Sequence, residues 1–568
     1  MDKAQAEELF QRAVDHQQAG RLDDAQADYE RILAEYPGYS HVPHLLGAIM
    51  GQRGDWFHAR RLIEFHLVKH PQDADALANL AWALFNLGLH DRVLERCEQA
   101  LALDEKHPRA WFTRGLAFHQ LRRFEEAVAA YDHALALRPD LAEAMNHRGR
   151  SLHVLERYAD AVASYDAAIA LLPAFADAHN NRGSALTMLG RHDEAMASFE
   201  QALRLDSRFP EAYFNYGLGL QNAKRFEEAL QAFEMALHLR PAYPEALLHR
   251  AHMLLRLSRT PHLALATLDR ALALRPDYFE ALDGSASVLG QLDQYAEALE
   301  TYDRVIAMRP GVAEAHHNRG HALRELGRMD EAVEAYREAL RLGGNAHGGQ
   351  FVLAAMGAGD APPIAPQDFI VSLFDRYSSR FDDHLVNGLG YQAHEVLCKA
   401  ILKLQPQGAF DIADLGCGTG LCAPLLAPVA RSMTGVDLAP RMLDKARERG
   451  IYTTLVEDDV ASFLRKSAPQ SFDMLVSTDV FIYIGDLTEV FTGARQAIRA
   501  GGLFGFSIET SADADFELRA SRRYAQSLAY IRRLAAQNSF EVLVEEPCTL
   551  RKEGGKDMAG HIIVLRAG

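Results

Sequence analysis

At 568 residues, with 48% hydrophobic and 24% charged residues, the chain is too long for one core and reads as a globular protein of at least two domains. A formal charge of −17 argues against nonspecific nucleic-acid binding, which needs Lys and Arg against phosphates, and no apolar run reaches the 18 residues of a membrane span. The five cysteines (Cys97, Cys398, Cys417, Cys422, Cys548) lack metal-ligand spacing, and Met1-Asp-Lys-Ala-Gln-Ala has no signal-peptide pattern, so no metal and a reducing, cytoplasmic location are expected.

From the N-terminus a small residue returns every 34 positions, at Ala13, Gly47, Ala81, Gly115, Gly149, Gly183, Gly217 and Ala251. After a one-residue shift near Thr260-Pro261 the series resumes at Ala286 and Gly320. A second small residue follows twelve positions later (Ala25, Ala59, Ala127 and onward, Val93 excepted), and proline closes many units, as at Pro37, Pro71 and Pro139. Each unit reads as a helical hairpin. Small residues sit where two helices cross, aromatics such as Tyr131, Phe199, Phe233 and Tyr302 fill the contact with the next hairpin, and proline stops the second helix. The pattern resembles the tetratricopeptide repeat, which implies an all-α superhelix of ten hairpins over residues 1–345, its first helices lining a concave groove.

Two rows follow the groove. Asn79, Asn181, Asn215 and Asn318 can hold an extended peptide, or are polar residues of a solvated face. Arg114, Arg148, Arg182, Arg250 and Arg319 read as an anion-binding row or as guanidinium groups paired with acids of adjacent units. His179, His316 and His317 have no second ligand at helical spacing and read as groove residues. A protein or peptide partner is the expectation for this surface, and the oligomeric state is left open.

Glycine and proline mark residues 346–366 as a linker, with Phe351 to Met356 as a short cap on the array. A helical segment over 367–390 follows, containing Phe369-Ile-Val-Ser-Leu-Phe-Asp-Arg-Tyr377 and leading to Tyr391. Next come Phe410-Asp-Ile-Ala-Asp414, three glycines at alternate positions (Gly416, Gly418, Gly420), and an apolar helix over Leu421 to Ala430: a buried strand, a tight turn and a helix start. Alternate glycines permit positive φ and leave no side chain between loop and ligand. The dinucleotide pattern fits poorly, because its third glycine would fall on Leu421. A second strand, Met433 to Val436, ends in Asp437, which can accept from both hydroxyls of a ribose.

From about Gln367 to the C-terminus these motifs resemble the class I S-adenosylmethionine-dependent methyltransferases. The segment Phe369 to Tyr391 resembles more narrowly the opening of bacterial methyltransferases that carry tetratricopeptide repeats, related to methyltransferase-like proteins of the Williams-Beuren region. The resemblance implies S-adenosylmethionine as cofactor and S-adenosylhomocysteine as product. Gly416, Cys417, Gly418 and Gly420 would contact the methionine part, Asp437 the ribose, Met442 an adenine face, and Asp459 with Val460 the adenine edge. Leu438 and Ser477 join the cofactor set; Tyr377, Phe381 and Tyr391 would close the site from a lid. Asp414 is either a cofactor contact or a carboxylate that braces the loop.

Beyond the loop, strands near Thr453 to Glu457, Phe472 to Ser477 and Leu503 to Ile508 alternate with a helix over Leu487 to Arg499, implying a Rossmann-like α/β domain over 367–568. A helix from about Tyr524 to Gln537 and a hairpin of Phe540 to Glu545 with His561 to Arg566 complete a seven-stranded, mostly parallel sheet by resemblance. Asp479, Tyr483 and Glu509, at strand ends, are the catalytic candidates. Gln526 stands where relatives carry histidine; it cannot titrate, and no role is carried to it. The sequence thus points to a methyltransferase whose array recruits a protein or carrier-bound acceptor. Its alternatives are an enzyme of a free small metabolite whose array serves assembly, and a non-catalytic scaffold or cofactor sensor.

Overall fold

The computed structural model describes residues 1–257, 260–377, 390–405, 407–512, 514–553 and 556–568. From Lys3 to Arg341, twenty helices pair into ten hairpins, the number that the repeat spacing implies. The glycines explain how the paired helices cross. A Cβ on Gly149 would lie 2.6 Å from the Tyr165 ring, and the same clash recurs at Gly115 with Tyr131, Gly183 with Phe199 and Gly217 with Phe233. The aromatic therefore fills its own hairpin's crossing first. Tyr131 also stacks on His147 of the following hairpin at 6.3 Å, so the ring serves both contacts rather than the second alone.

Four arginines of the row, Arg148, Arg182, Arg250 and Arg319, are paired with acids of the preceding hairpin, while Arg114 lies over the Trp111 and Phe118 rings. Arg148 donates to Asp132 of the preceding hairpin and to Ser164 Oγ of its own, both at 2.6 Å. Arg182 repeats this with Asp166 and Ser198, and Arg250 with Glu234 and Thr267. The asparagine row is partly engaged as well: Asn181 donates to Asn146 and Asn215 to Asn180, each at 3.0 Å, bonding one first helix to the next. Each of these two amides keeps its carbonyl oxygen as a further acceptor.

The chain forms two compact units, residues 1–281 and 282–568. In the second, the tenth hairpin (Ala313–Glu325 and Met329–Arg341) is followed by a helix over Ala346–Ala355. Val352 and Leu353 of that helix pack with Leu323 and Tyr336, while Phe351 packs with Ala365, Ile370 and Tyr524. The proline-rich stretch after it is docked. The Pro363 carbonyl accepts the N–H groups of Gly485 and Asp486 at 2.9 Å, Ala365 N–H donates to the Tyr483 carbonyl at 2.9 Å, and the Tyr524 hydroxyl donates to the Pro362 carbonyl.

The sheet of this unit contains β1 (Phe410–Leu415), β2 (Ala430–Asp437), β3 (Thr454–Glu457), β4 (Phe472–Ser477) and β5 (Ile498–Glu509). A separate two-stranded ribbon holds β6 (Phe516–Leu518) and β7 (Tyr524–Gln526), and β8 (Phe540–Glu553) and β9 (Lys556–Ala567) end the chain. The seven-stranded order is β3-β2-β1-β4-β5-β9-β8, parallel through β5, with β9 and β8 antiparallel. Both faces are covered, so the central strands bury unbroken apolar runs such as Met474-Leu475-Val476. The order reverses between β1 and β4, the place where open α/β sheets bind ligands.

Two expected helices are different in the fold. The stretch after the glycine loop is a short helix, Ala423–Leu426, with a 3₁₀ turn, Ala427–Val429, because Pro428 has no N–H to continue it. Tyr524 to Gln526 is a strand, and the helix begins at Leu528, where Ser527 Oγ accepts the Tyr530 N–H as an N-cap. No helix among the described residues is long and apolar enough to cross a membrane.

Candidate functional site

The carboxyl ends of β1, β2 and β4 open on a cavity of about 460 Å³. Its floor is the glycine loop. Gly416, Gly418 and Gly420 take φ of 69°, 54° and 87°, a region costly to residues with a Cβ. At Gly416 a Cβ would also fall 2.3 Å from Val480, so the loop closes tightly on the segment after β4. The Cys417 N–H donates to the Val436 carbonyl at 2.9 Å and ties the loop to β2.

Asp437, the last residue of β2, is held from both sides. Gly418 N–H donates to Oδ2 at 2.8 Å and Ala439 N–H to Oδ1 at 2.9 Å. Burial raises its pKa against the lowering effect of these amides. Each oxygen keeps acceptor capacity at the cavity wall, the arrangement that a vicinal diol requires. Leu438, Met442, Asp459 and Val460 share this wall; Met442 is buried on the helix Pro440–Glu448, and Asp459 caps the helix Val460–Lys466 by accepting the Ser462 N–H. Gly416, Cys417, Gly418, Tyr391, Asp479 and Tyr483 also line the cavity.

Four sequence candidates are brought to the site's frame but not to the cavity surface. Asp414 is buried behind the loop, where the Tyr452 hydroxyl donates to it at 2.6 Å; burial raises its pKa to about 6. It is the brace of the two alternatives. Gly420 faces the Tyr452 ring, 2.9 Å from where a Cβ would lie. Ser477 Oγ donates to the Leu415 carbonyl at 2.9 Å and stitches β4 to β1. Glu509 is fully buried on Arg551 and Arg519. Phe381 and the side chain of Tyr377 lie outside the described residues.

The catalytic candidates are tied together by a residue that sequence reasoning missed. Arg551 of β8 is fully buried, donates to Asp479 at 2.7 Å and reaches Glu509. Burial opposes its charge, but the two carboxylates outweigh that effect and raise its pKa. Arg551 thus joins Asp479, at the cavity wall, to Glu509, behind it. Asp479 has φ of 59°, with its N–H donating to Ser507 Oγ at 2.9 Å, so the turn after β4 is fixed from both ends of that residue. Tyr483 packs edge-on to Phe374 at 5.6 Å, and burial raises its phenol, as it does that of Tyr391. Gln526, buried, donates to the carbonyls of Phe481 and Ile484 at 2.9 and 2.8 Å, a bracing role needing no titration.

Thr419, Asp458, Val480, Phe374 and Arg523 are among the further lining residues that the motifs do not name as site candidates. Arg523 follows Arg522, which takes a left-handed φ of 64° at the turn. Arg551 carried no signal, because its partners lie 72 and 42 residues away.

A methyltransferase-domain family model matches residues 412–502. Tetratricopeptide-repeat models match residues 9–39, 108–141, 146–210, 197–246 and 284–347. The chain is 32% identical over 110 residues to a malonyl-[acyl-carrier protein] O-methyltransferase of Acetivibrio thermocellus, covering 19% of this chain and 38% of that one. It is 29% identical over 104 residues to a ubiquinone biosynthesis O-methyltransferase of a Methylobacterium species, covering 18% and 41%. The chain therefore spans about two fifths of the length of these relatives. Among solved structures, PilF of Pseudomonas aeruginosa aligns over 38% of this chain and 97% of its own, at 20% identity and a TM-score of 0.35.

Proposed function

We propose, from the premise that this chain is a tetratricopeptide-repeat-containing class I methyltransferase, that its cavity binds S-adenosylmethionine and that residues 1–345 recruit the methyl acceptor. Residues 346–366 would join that array to a catalytic domain over 367–568. The observation that carries the reading is Asp437: two backbone amides hold it at the wall of a glycine-floored cavity, with both oxygens able to accept further.

The residues fit the cofactor. Gly416, Cys417 and Gly418 would hold its methionine part, Asp437 with Leu438 the ribose, and Met442, Asp459 and Val460 the adenine. When bound, S-adenosylmethionine supplies an electrophilic methyl on a good leaving group, so alignment and exclusion of water are the main demands on the protein. Tyr391, Tyr483 and Phe374 provide an aromatic wall that keeps the site dry, and the Arg551 pairings fix Asp479 beside it. With Asp479 and Glu509 held as ion pairs, the acceptor would arrive in its reactive form or lose its proton after transfer. The relatives' names include O-methylation and a carrier-bound acyl group, which supports a carrier-bound or protein acceptor with an oxygen nucleophile here.

Calorimetric titration of the full chain with S-adenosylmethionine, beside an Asp437→Ala, Gly418→Val double variant, tests the cofactor. Saturable binding that the variant loses is expected; equal binding by both would reject the assignment. Recruitment is tested by removing residues 1–274, which leaves the ninth and tenth hairpins in place. Cofactor binding should persist while turnover of the acceptor captured by the full chain collapses, and unchanged turnover would reject recruitment.

A further inference from the structure

A histidine cluster in the first unit has the makings of a metal site. The second hairpin (Val42–Gln52 and Trp56–Lys69) supplies His44 and His66, and Asp73 caps the first helix of the third (Ala74–Asn86). His44 and His66 are buried, and the Asp73 side chain is one quarter exposed. Nitrogen and oxygen atoms of the three residues lie within 4.8 Å of one another.

The hydrogen bonds show which atoms are available. His66 Nδ1 lies 2.7 Å from the Ser40 carbonyl, which can only accept, so Nδ1 carries a hydrogen and donates it. That tautomer leaves Nε2 with a lone pair directed at Asp73 Oδ2, 2.8 Å away and also an acceptor. Two acceptors so close need a proton or a cation between them. Asp73 Oδ1 is already used, accepting the Ala76 N–H at 3.0 Å, so Oδ2 is the oxygen left for a ligand role. His44 Nδ1 stands 3.8 Å from the same Oδ2.

The surroundings extend the cluster. The His70 ring stacks on His66 at 4.7 Å, and its Nε2 is buried with no hydrogen-bond partner. His66 and His70 are four residues apart at the end of one helix, which brings them onto one face. A histidine ligand whose second ring nitrogen donates to a backbone carbonyl is the usual outer-shell arrangement of metal sites, and His66 on Ser40 reproduces it.

We propose that His44 Nδ1, His66 Nε2 and Asp73 Oδ2 bind one divalent ion of the zinc class, clipping the second hairpin to the third. Two imidazoles and a carboxylate suit zinc or cobalt and leave a fourth position for water or a further ligand. Ligation by His44 Nδ1 requires Asn79, whose amide nitrogen lies 2.8 Å from His44 Nε2, to present its carbonyl oxygen there and release the exposed Arg109 that now donates to it.

The test uses the full chain stripped with a chelator and titrated with Zn²⁺ by calorimetry in buffers of different ionisation enthalpy, then with Co²⁺ by visible absorption. One equivalent should bind, and Co²⁺ should give the d–d bands of a low-coordinate nitrogen–oxygen site. Asp73→Asn keeps the helix cap but loses the ligand charge, and should weaken Zn²⁺ at least tenfold, as should His66→Gln. His58→Ala, an exposed histidine elsewhere on the second hairpin, should change nothing. Equal affinity in the wild type and Asp73→Asn, or no one-equivalent site in a folded wild-type chain, would overturn the proposal.

Discussion

Replacing Asp414 by Asn isolates a cost that the fold carries at its centre. The carboxyl is fully buried, and desolvation raises its pKa from 3.8 to about 6, against the lowering effect of the Tyr452 hydrogen bond. Between those two values the folded chain holds a proton that the unfolded chain has released. Stability of the 282–568 unit therefore falls as pH rises through that window and stays lower above it. Two pKa units correspond to about 3 kcal/mol, or roughly a hundredfold in an opening equilibrium. Asn keeps an acceptor for Tyr452 and has no charge to bury. Tryptophan fluorescence is blind to this, because Trp56, Trp82 and Trp111 all lie in the first unit. Hydrogen exchange read by mass spectrometry on β1 peptides of the full chain reports it directly. The protection of Asp414→Asn relative to wild type should grow roughly a hundredfold between pH 4 and pH 7. A ratio that stays flat across that range would refute the reasoning, since every other titrating group is common to both chains.

Further outcomes follow from packing and charge. Arg551→Met takes from Asp479 its guanidinium partner and leaves the fully buried Glu509 with Arg519 alone, and should destabilise the second unit by about 3 kcal/mol; adding Glu509→Gln should recover part of that loss, measured by the same exchange. Gly149→Ala forces a methyl into the Tyr165 ring and should cost about 1–3 kcal/mol, whereas Gly290→Ala, with nothing within 4 Å of the new Cβ, should stabilise by up to about 1 kcal/mol. Thermal or urea unfolding of the two variants would expose an error if both substitutions shifted stability the same way.

The repeat array was legible because its physics is local and periodic: one small residue per crossing, repeated, leaves its spacing in the sequence. The cavity wall was legible for a related reason, since Gly416 to Gly420 and Asp437 sit at the ends of adjacent strands, where backbone geometry leaves its mark on the residue types. What escaped was long-range. Asp479 and Glu509 looked like bases because each ends a strand, and only the fold brings Arg551 between them from the C-terminal hairpin. The Tyr524 to Gln537 segment read as one helix because its apolar content fits either period, and the pairing of β7 with β6 decides it. The histidines at 44 and 66 left no spacing signal, because they lie on different helices of the second hairpin and Asp73 comes from the start of the third.

The arginine braces bear on how such a chain changes length. Arg148 links an acid sixteen residues before it, Asp132, to a hydroxyl sixteen residues after it, Ser164, and Arg182 does the same with Asp166 and Ser198. Gain or loss of a whole 34-residue module between two such hairpins therefore keeps the register of the brace. Where the register slips by one, near residue 260, Arg250 still finds a hydroxyl, now seventeen residues on at Thr267. A run of hairpins wired in this way can be lengthened or shortened by duplication and excision with its braces kept in register.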